Sequence, residues 1–315
     1  MTTTNVTRSK SPREKKGSMG TVRRNKLIFC IVMLALPFLQ FFVCYLYVNL
    51  RSFTLGFQDY DIETGAYVFV GFKQFAKIFQ NFKTDVTLRS SIPNSLTLFF
   101  WSFMFGSFGA VLFSYYIYKK NFGSGLFKIL LYLPHILGSV VVCVMYKNFV
   151  ETAMPEMFGL ELGLLQNAET RRATIMIFSI YMSFGPRILV YTNAMSGISE
   201  SIIESAKLDG VNTWQELIHI VLPSIWSTFI TFMVASIIGI FTNQMALYTF
   251  YGDYANDYLY TFGYYLYRNT RYYWEKQNLG QMSYLAAMGL LMTLVAAPLT
   301  MFTRWALKKF GPSKD

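Results

Sequence analysis

Residues 204–223 read ESAKLDGVNTWQELIHIVLP and place Glu204, Lys207, Asp209 and Glu216 in one block between two apolar stretches, 173–199 and 224–250. Carboxylates in such a block suit charge-assisted contacts with another protein. They do not suit bond-breaking chemistry. The only histidines, His135 and His219, lie on different stretches with no H-x-x-x-H spacing, and Cys30, Cys44 and Cys143 stand isolated in apolar runs. Neither pattern has the spacing of a metal or redox site. No G-x-x-x-x-G-K-[ST] occurs, so the chain is not expected to hydrolyse ATP itself. No cofactor and no catalytic residue is expected. Within the apolar stretch 173–199 a single charge stands out, Arg187. A charge at membrane depth is costly and marks function or a structural tie.

The elements that position these groups are membrane spans. Of 315 residues, 53% are hydrophobic and 14% charged, against about 25% charged in soluble domains. The runs 27–50, 90–118, 129–146, 217–252 and 277–303 carry no Asp, Glu, Lys or Arg. With 173–199 they make six apolar segments, each long enough to cross a bilayer, for which about 20 residues suffice. The expected spans are 27–50, 92–118, 129–149, 173–195, 223–244 and 282–304, with Pro223 at a first turn. Placing the N-terminus inside leaves 16 basic residues on the inner segments and 11 on the longer outer ones. That bias sets both termini on the cytoplasmic side. The net charge of +11 therefore reads as topology and not as nucleic-acid binding. Residues 1–26 are expected to be a basic, disordered cytoplasmic tail, 27–308 the six-span domain, and 309–315 a short cytoplasmic tail. The first span is read as retained, because 27–50 is too long for a signal-peptide core.

On this topology 196–222 is a cytoplasmic loop of helix, turn and helix. Ile198, Ile202 and Ala206 recur at helical spacing, with Ile203 beside them. Ser199 is a candidate N-cap, and Ser201 with Glu204 an alternative capping box. Gly210 fits the left-handed position that ends a helix. Thr213 with Glu216 reads as a second box, opening a short helix that stops before Pro223. A hairpin lying on anionic headgroups would carry Lys and Arg on its polar face. This one carries mostly acid, which favours a protein partner over lipid.

The spacing of Glu204-Ser205-Ala206, three residues, Gly210, nine residues, Ile220-Val221-Leu222-Pro223 resembles the E-A-A-x3-G-x9-I-x-L-P signature of permease subunits of binding-protein-dependent ABC importers. Ser205 replaces the first alanine. Asp209-Gly210 is similar to the carbohydrate-uptake branch. FVGFKQFAKIF at 69–79, NFGSGLFKILLYLPHILGSVVV at 121–142 and WSTFITFMVASIIGIF at 226–241 extend the likeness across residues 27–308. The resemblance implies an all-α membrane protein with the six-helix type I importer fold in a prokaryotic inner membrane. It implies that Glu204, Ser205, Ala206, Asp209, Gly210, Ile220, Leu222 and Pro223 form an ATPase-coupling surface. Implied partners are a second, homologous permease, two cytoplasmic ABC ATPases, an extracytoplasmic solute-binding protein, the carbohydrate itself and membrane lipid.

The same resemblance nominates His135, Ser139, Ser183, Ser236 and Asn243 for a substrate path. Hydroxyls and amides suit a neutral polyol because they donate and accept hydrogen bonds without imposing charge. They also glue membrane helices together, so both roles stand open. His135 and Ser139 are read as sharing one helical face, and Tyr132 and Tyr181 as stacking surfaces. Arg187, after Gly185-Pro186, either snorkels as a structural or gating group or faces the path and binds an anion. The tyrosine-rich segment 244–281 reads either as an aromatic belt or as a docking surface. Competing readings are a permease for glycerol phosphate or another polar solute, and a non-transport membrane protein that recruits a soluble partner.

Overall fold

The structure, a computed structural model, describes residues 17–312, with side chains described from residue 23. The expected disorder of the N-terminal tail falls largely on residues 1–16, which lie outside the described residues. The chain divides into two units, one ending at Thr54 and the other beginning at Leu55.

The first unit holds α1, which runs as Gly17–Gln40, a π-helical stretch Phe41–Tyr47 and Val48–Leu55, its last residue falling in the second unit. Helix therefore starts ten residues before the apolar run, inside the segment read as tail. Cys30 and Cys44 sit on its exposed surface, as befits a span whose environment is lipid or a partner.

The second unit opens with an antiparallel hairpin, β1 (Gln58–Asp61) and β2 (Ala66–Phe69), pairing Gln58 with Phe69 and Asp61 with Ala66. An amphipathic helix, α2 (Lys73–Thr84), follows. Asp85 then caps α3, its carboxylate accepting from the amides of Thr87 (2.9 Å) and Leu88 (3.4 Å). α3 is one long path, Val86–Trp101, a π-helical stretch Ser102–Gly109 and Ala110–Tyr118.

The third span departs from expectation. α4 (Ser124–Ile136) and α5 (Ser139–Asn148, prolonged to Phe158) meet at a bend of 106°. Leu137 and Gly138 are both extended, with ψ of 150° and 131°. Pro134 precedes the break and lacks the N–H that would bond Leu130 O. The Tyr181 hydroxyl donates to that carbonyl instead, at 3.4 Å.

α6 (Ala168–Ser196) spans without a break despite Pro186. α7 (Glu200–Leu208) and α8 (Thr213–Glu216) form the loop. A π-turn Leu217–Val221 and a single turn Leu222–Ser224 join α8 to α9 (Trp226–Thr242). α8 thus ends well before Pro223, as expected, but helical turns carry on through the proline to Ser224. The proline sits in the first turn of the next segment, where a missing N–H is tolerated, and the span proper begins three residues later. After α9 come α10 (Leu247–Tyr251), α11 (Phe262–Glu275) and α12 (Leu279–Phe310). α12 absorbs Lys309 and Phe310 from the segment read as a tail; residues 313–315 lie outside the described residues. Among the described residues five helices are long and apolar enough to cross a membrane, and six if the bent pair counts as one span.

Two apolar clusters hold the second unit. One, at the loop end, gathers Val111, Tyr115, Ile188, Tyr191, Met195, Leu217, Val221 and Phe229. The other, at the opposite end, includes Ile78, Leu88, Cys143, Tyr260, Tyr264, Tyr265, Tyr284 and Met288. Between them the helices approach through small residues, as helices in lipid do. A Cβ on Gly109 would lie 3.3 Å from the Phe184 ring, and one on Gly185 3.3 Å from Leu131 O. Ser114 donates to Ile188 O at 3.2 Å.

Part of the tyrosine-rich segment, read as a belt or a docking surface, is structural. Tyr260, Tyr264 and Tyr265 are buried in the second cluster, and the Tyr264 hydroxyl donates to Gly252 O at 2.7 Å. Burial raises the phenol of Tyr264 to about 12 and raises those of Tyr260, Tyr265 and Tyr273 as well. An unfolded tyrosine loses its proton near about pH 10. The native state thus holds more protons above that value, so stability is full below pH ~10 and falls as pH rises toward ~12. A tyrosinate absorbance titration of the purified chain should show these phenols ionising late and together with loosening of this end. Tyr264→Phe should remove one late proton.

Candidate functional site

The loop is built around its turn. Gly210 has φ +76°, and the chain closes there as a Schellman motif: Val211 N donates to Ala206 O and Gly210 N to Lys207 O, both at 3.1 Å. A β-carbon at Gly210 would meet nothing within 4 Å. On α7 the buried residues are Ile203 and Ala206, each 8% exposed. Ile202, expected on that face, is 52% exposed, so the inward stripe is rotated by one residue. Glu204, Ser205 and Asp209 face outward. Ile220, Leu222 and Pro223 are half-buried where the loop joins α9.

The caps differ from those read in the sequence. Asn212, not Thr213, opens α8: its side chain accepts from Gln215 N while Gln215 Oε1 accepts from Asn212 N, both at 2.9 Å. Ser199 precedes α7, and its hydroxyl shares a hydrogen bond with that of Ser201 at 2.8 Å. Glu216 does not face a partner. Its two oxygens accept from Lys119 Nζ at 2.6 Å each, and its side chain is 5% exposed. The outward acidic set is therefore Glu200, Glu204 and Asp209.

The nominated path residues separate into three places. His135 and Ser139 fall on opposite sides of the bend, on α4 and α5, so they share no helical face; both are exposed. The Cβ of His135 lies 3.3 Å from where a β-carbon on Gly185 would be. Arg187 and Ser236 are brought together. Arg187 Nη2 donates to Ser236 Oγ at 3.1 Å, and Nη1 donates to Ser102 O at 3.2 Å and Ser107 Oγ at 3.3 Å. Its guanidinium also lies 6.0 Å over the Phe232 ring. Ser183 donates to Ile180 O at 2.7 Å and faces the same notch at Gly106 as Arg187 does.

Asn243 is placed elsewhere. It ends α9, with Oδ1 accepting from Met245 N at 2.8 Å and its carbonyl accepting from Thr261 Oγ1 at 2.7 Å. Met245 and Ala246 follow with φ of +53° and +55°, a reversal that this side-chain bond and the stitch to Thr261 hold in place. Tyr181, expected to stack, spends its hydroxyl on Leu130 O.

Sequence reading missed three groups. Lys119 closes on a residue 97 positions away, which no local pattern reveals. Gly106 and Ser107 sit in the π-helical stretch that meets Arg187, and such widened turns carry no sequence signature of their own. Asn94 and Ser95, both buried, bind the opposite end: Asn94 Nδ2 donates to Tyr258 O (2.6 Å) and Tyr260 O (2.9 Å), and Phe262 N donates to Ser95 Oγ (3.0 Å).

The chain is 25% identical over 302 residues to the polygalacturonan/rhamnogalacturonan transport system permease protein YteP of Bacillus subtilis, covering 89% of this chain and 88% of that one. It is 24% identical over 213 residues to the arabinooligosaccharides transport system permease protein AraP of the same organism, covering 64% and 66%. A crystal structure of a bacterial ABC transporter involved in import of the acidic polysaccharide alginate superposes with a TM-score of 0.73 at 22% identity, over 93% of this chain and 99% of that one. The fold is thus that of type I ABC importer permeases. The family described as binding-protein-dependent transport system inner membrane component matches residues 118–314, which include the whole loop, the bent third span, Arg187 and Ser236, and the chain belongs to that family.

Proposed function

We propose that this chain is the permease subunit of an ABC importer that carries a carbohydrate across the cytoplasmic membrane. ATP hydrolysis on a separate subunit, docked at 196–222, drives the cycle. The chain itself supplies no ATPase or other catalytic group. It pairs with a second permease, two ATPases and an extracytoplasmic binding protein. The relatives named above are transporters of polygalacturonan/rhamnogalacturonan, arabinooligosaccharides and the acidic polysaccharide alginate, which supports the substrate class.

The observation that carries the reading is the exposed face of the hairpin. Glu204, Ser205 and Asp209 stand outward beside a glycine turn with open space around it. Such a face presents charge-assisted contacts and close backbone approach together. The opposite, tyrosine-rich end then faces outward, toward the binding protein.

Gly210→Asp tests it. In the isolated chain the new β-carbon meets nothing within 4 Å, and Asp enters the left-handed region at a penalty of roughly 1–2 kcal/mol or less. Folding and insertion should survive. On the docking face the same side chain blocks approach of the ATPase. Cells carrying the whole importer should lose uptake of labelled oligosaccharides, tested with oligogalacturonides, arabino-oligosaccharides and maltodextrins, while the chain stays inserted at wild-type level. Uptake at the wild-type rate in the variant would sink the docking assignment.

A further inference from the structure

We propose that Lys119 and Glu216 form a strut that makes the loop-end of α3 move with the coupling loop, so that both are positioning residues of the transport cycle. This rests on the reading of 196–222 as the ATPase-docking loop.

Lys119 is the residue at which α3 ends; its amide donates to Tyr115 O at 3.0 Å, and Lys120 turns the chain away with φ +51°. Its ammonium reaches both oxygens of Glu216 at 2.6 Å, with side-chain exposures of 23% and 5%. Tyr115, one turn earlier, donates from its hydroxyl to Thr213 O at 3.3 Å, and the same ammonium lies 5.6 Å from the Tyr115 ring. Leu217 and Val221 pack into the cluster that holds Val111 and Tyr115. The last turn of α3 is thus joined to the first turn of α8 by an ion pair, a hydrogen bond and apolar contact.

The chemistry argues for position over bulk stability. A buried ion pair gains little over apolar residues of the same size, because desolvation offsets the attraction. Its effect is directional: the ammonium fits one carboxylate in one place. Among the described residues the other ion pair, Arg271 with Glu275, is exposed and local on one helix. Lys119–Glu216 is the pair that joins distant parts of the chain. It also fixes a division of labour in the loop. α7 turns Glu204 and Asp209 outward, while α8 turns Glu216 inward onto α3.

α3 then has a second role. The helix held at Lys119 carries Ser102 and Ser107 further along, where Arg187 binds them. A push on the loop reaches mid-membrane through α3 as well as through the nearly continuous helix from α8 into α9. Spatial continuity alone does not establish coupling, so the test must read motion.

The experiment uses the assembled importer in nanodiscs, native cysteines replaced by serine, with spin labels at Phe122→Cys beyond α3 and Ser201→Cys on α7. The two distances to read are those of the nucleotide-free and vanadate-trapped states. With the strut intact, the label separation stays narrow and unchanged between the states. Glu216→Gln and Lys119→Met should broaden it in both states and lower transport per ATP hydrolysed about tenfold, a modest share of what breaking a buried pair can release. The charge-swapped pair, Lys119→Glu with Glu216→Lys, should restore the narrow separation. Single variants that keep it narrow, or a swap that restores nothing, overturn the strut. If the single variants fail to assemble, the swap alone decides in the same way. A wild-type chain that holds no ATPase and traps no nucleotide refutes the importer reading instead, and the strut is then judged on the nucleotide-free distances.

Discussion

Gly263→Ala should prevent the tyrosine-rich end from closing on the membrane helices. A β-carbon at Gly263 would collide with Thr242 O, and would lie 2.5 Å from Thr242 C and 2.7 Å from Asn243 C. All three are backbone atoms at the end of α9, so no side chain can swing aside. Relief requires α11 to lift from α9. That motion breaks the stitch just before the glycine: Thr261 Oγ1 to Asn243 O at 2.7 Å, and Phe262 N to Ser95 Oγ at 3.0 Å. Overpacking of a filled site costs about 1–3 kcal/mol when side chains can yield, and this site offers none that can, so about 3 kcal/mol or more is expected. Gly239→Ala is the control. That glycine lies in α9 and a β-carbon there meets nothing within 4 Å, so the substitution should be neutral or gain up to about 1 kcal/mol from helix propensity. Thermal unfolding of the two purified variants in one detergent reads the difference. Equal melting of Gly263→Ala and wild type would show that α11 does not close on α9 as described.

What was legible in the sequence follows from the range of the interactions. Apolar runs, the loop and the glycine turn are written in consecutive residues, and helices form over each, although α1 begins ten residues before its apolar run and the third span bends by 106°. The Schellman turn at Gly210 needs only a glycine after a helix of the right length. The bend at Leu137–Gly138 was not legible, because Pro134 alone does not reveal whether the freed Leu130 carbonyl finds a partner. It does find one, in Tyr181, from another helix. The inward stripe of α7 was off by one residue because Ile202 and Ile203 are equally apolar, and only the neighbouring helices decide which is covered. Glu216 looked like an outward acid until Lys119 was beside it. The tyrosines of 244–281 looked superficial because their rings are amphipathic, whereas the hydroxyls reach backbone carbonyls such as Gly252 O and so permit burial.

Arg187→Leu should loosen three spans at once. The guanidinium binds Ser102 O and Ser107 Oγ on α3 and Ser236 Oγ on α9, from its own place on α6. Gly106 makes room for it: a β-carbon there would stand 2.5 Å from Nη1. Among the described residues no carboxylate pairs with it, so its charge is held by neutral oxygens and by the face of Phe232. Leucine removes all three donors. Ser236 keeps its bond to Phe232 O at 2.8 Å, but Ser107, 1% exposed, loses its partner in a buried site. Leaving a buried polar group unsatisfied costs about 1–3 kcal/mol, and more where the lost partner was charged. Lysine is the sharper variant. Its single ammonium keeps the charge yet cannot fork between α3 and α9. Arg187→Lys should therefore insert and assemble while losing most uptake, because the helices are no longer held in one register. Anion binding gives a different result. If the guanidinium served an acidic saccharide instead of the three helices, lysine would retain uptake of oligogalacturonides, and leucine would lose it while melting like wild type. The thermal shift and the lysine phenotype together decide which role the cation has. Three hydrogen bonds from one guanidinium to oxygens on α3 and α9 favour the tie.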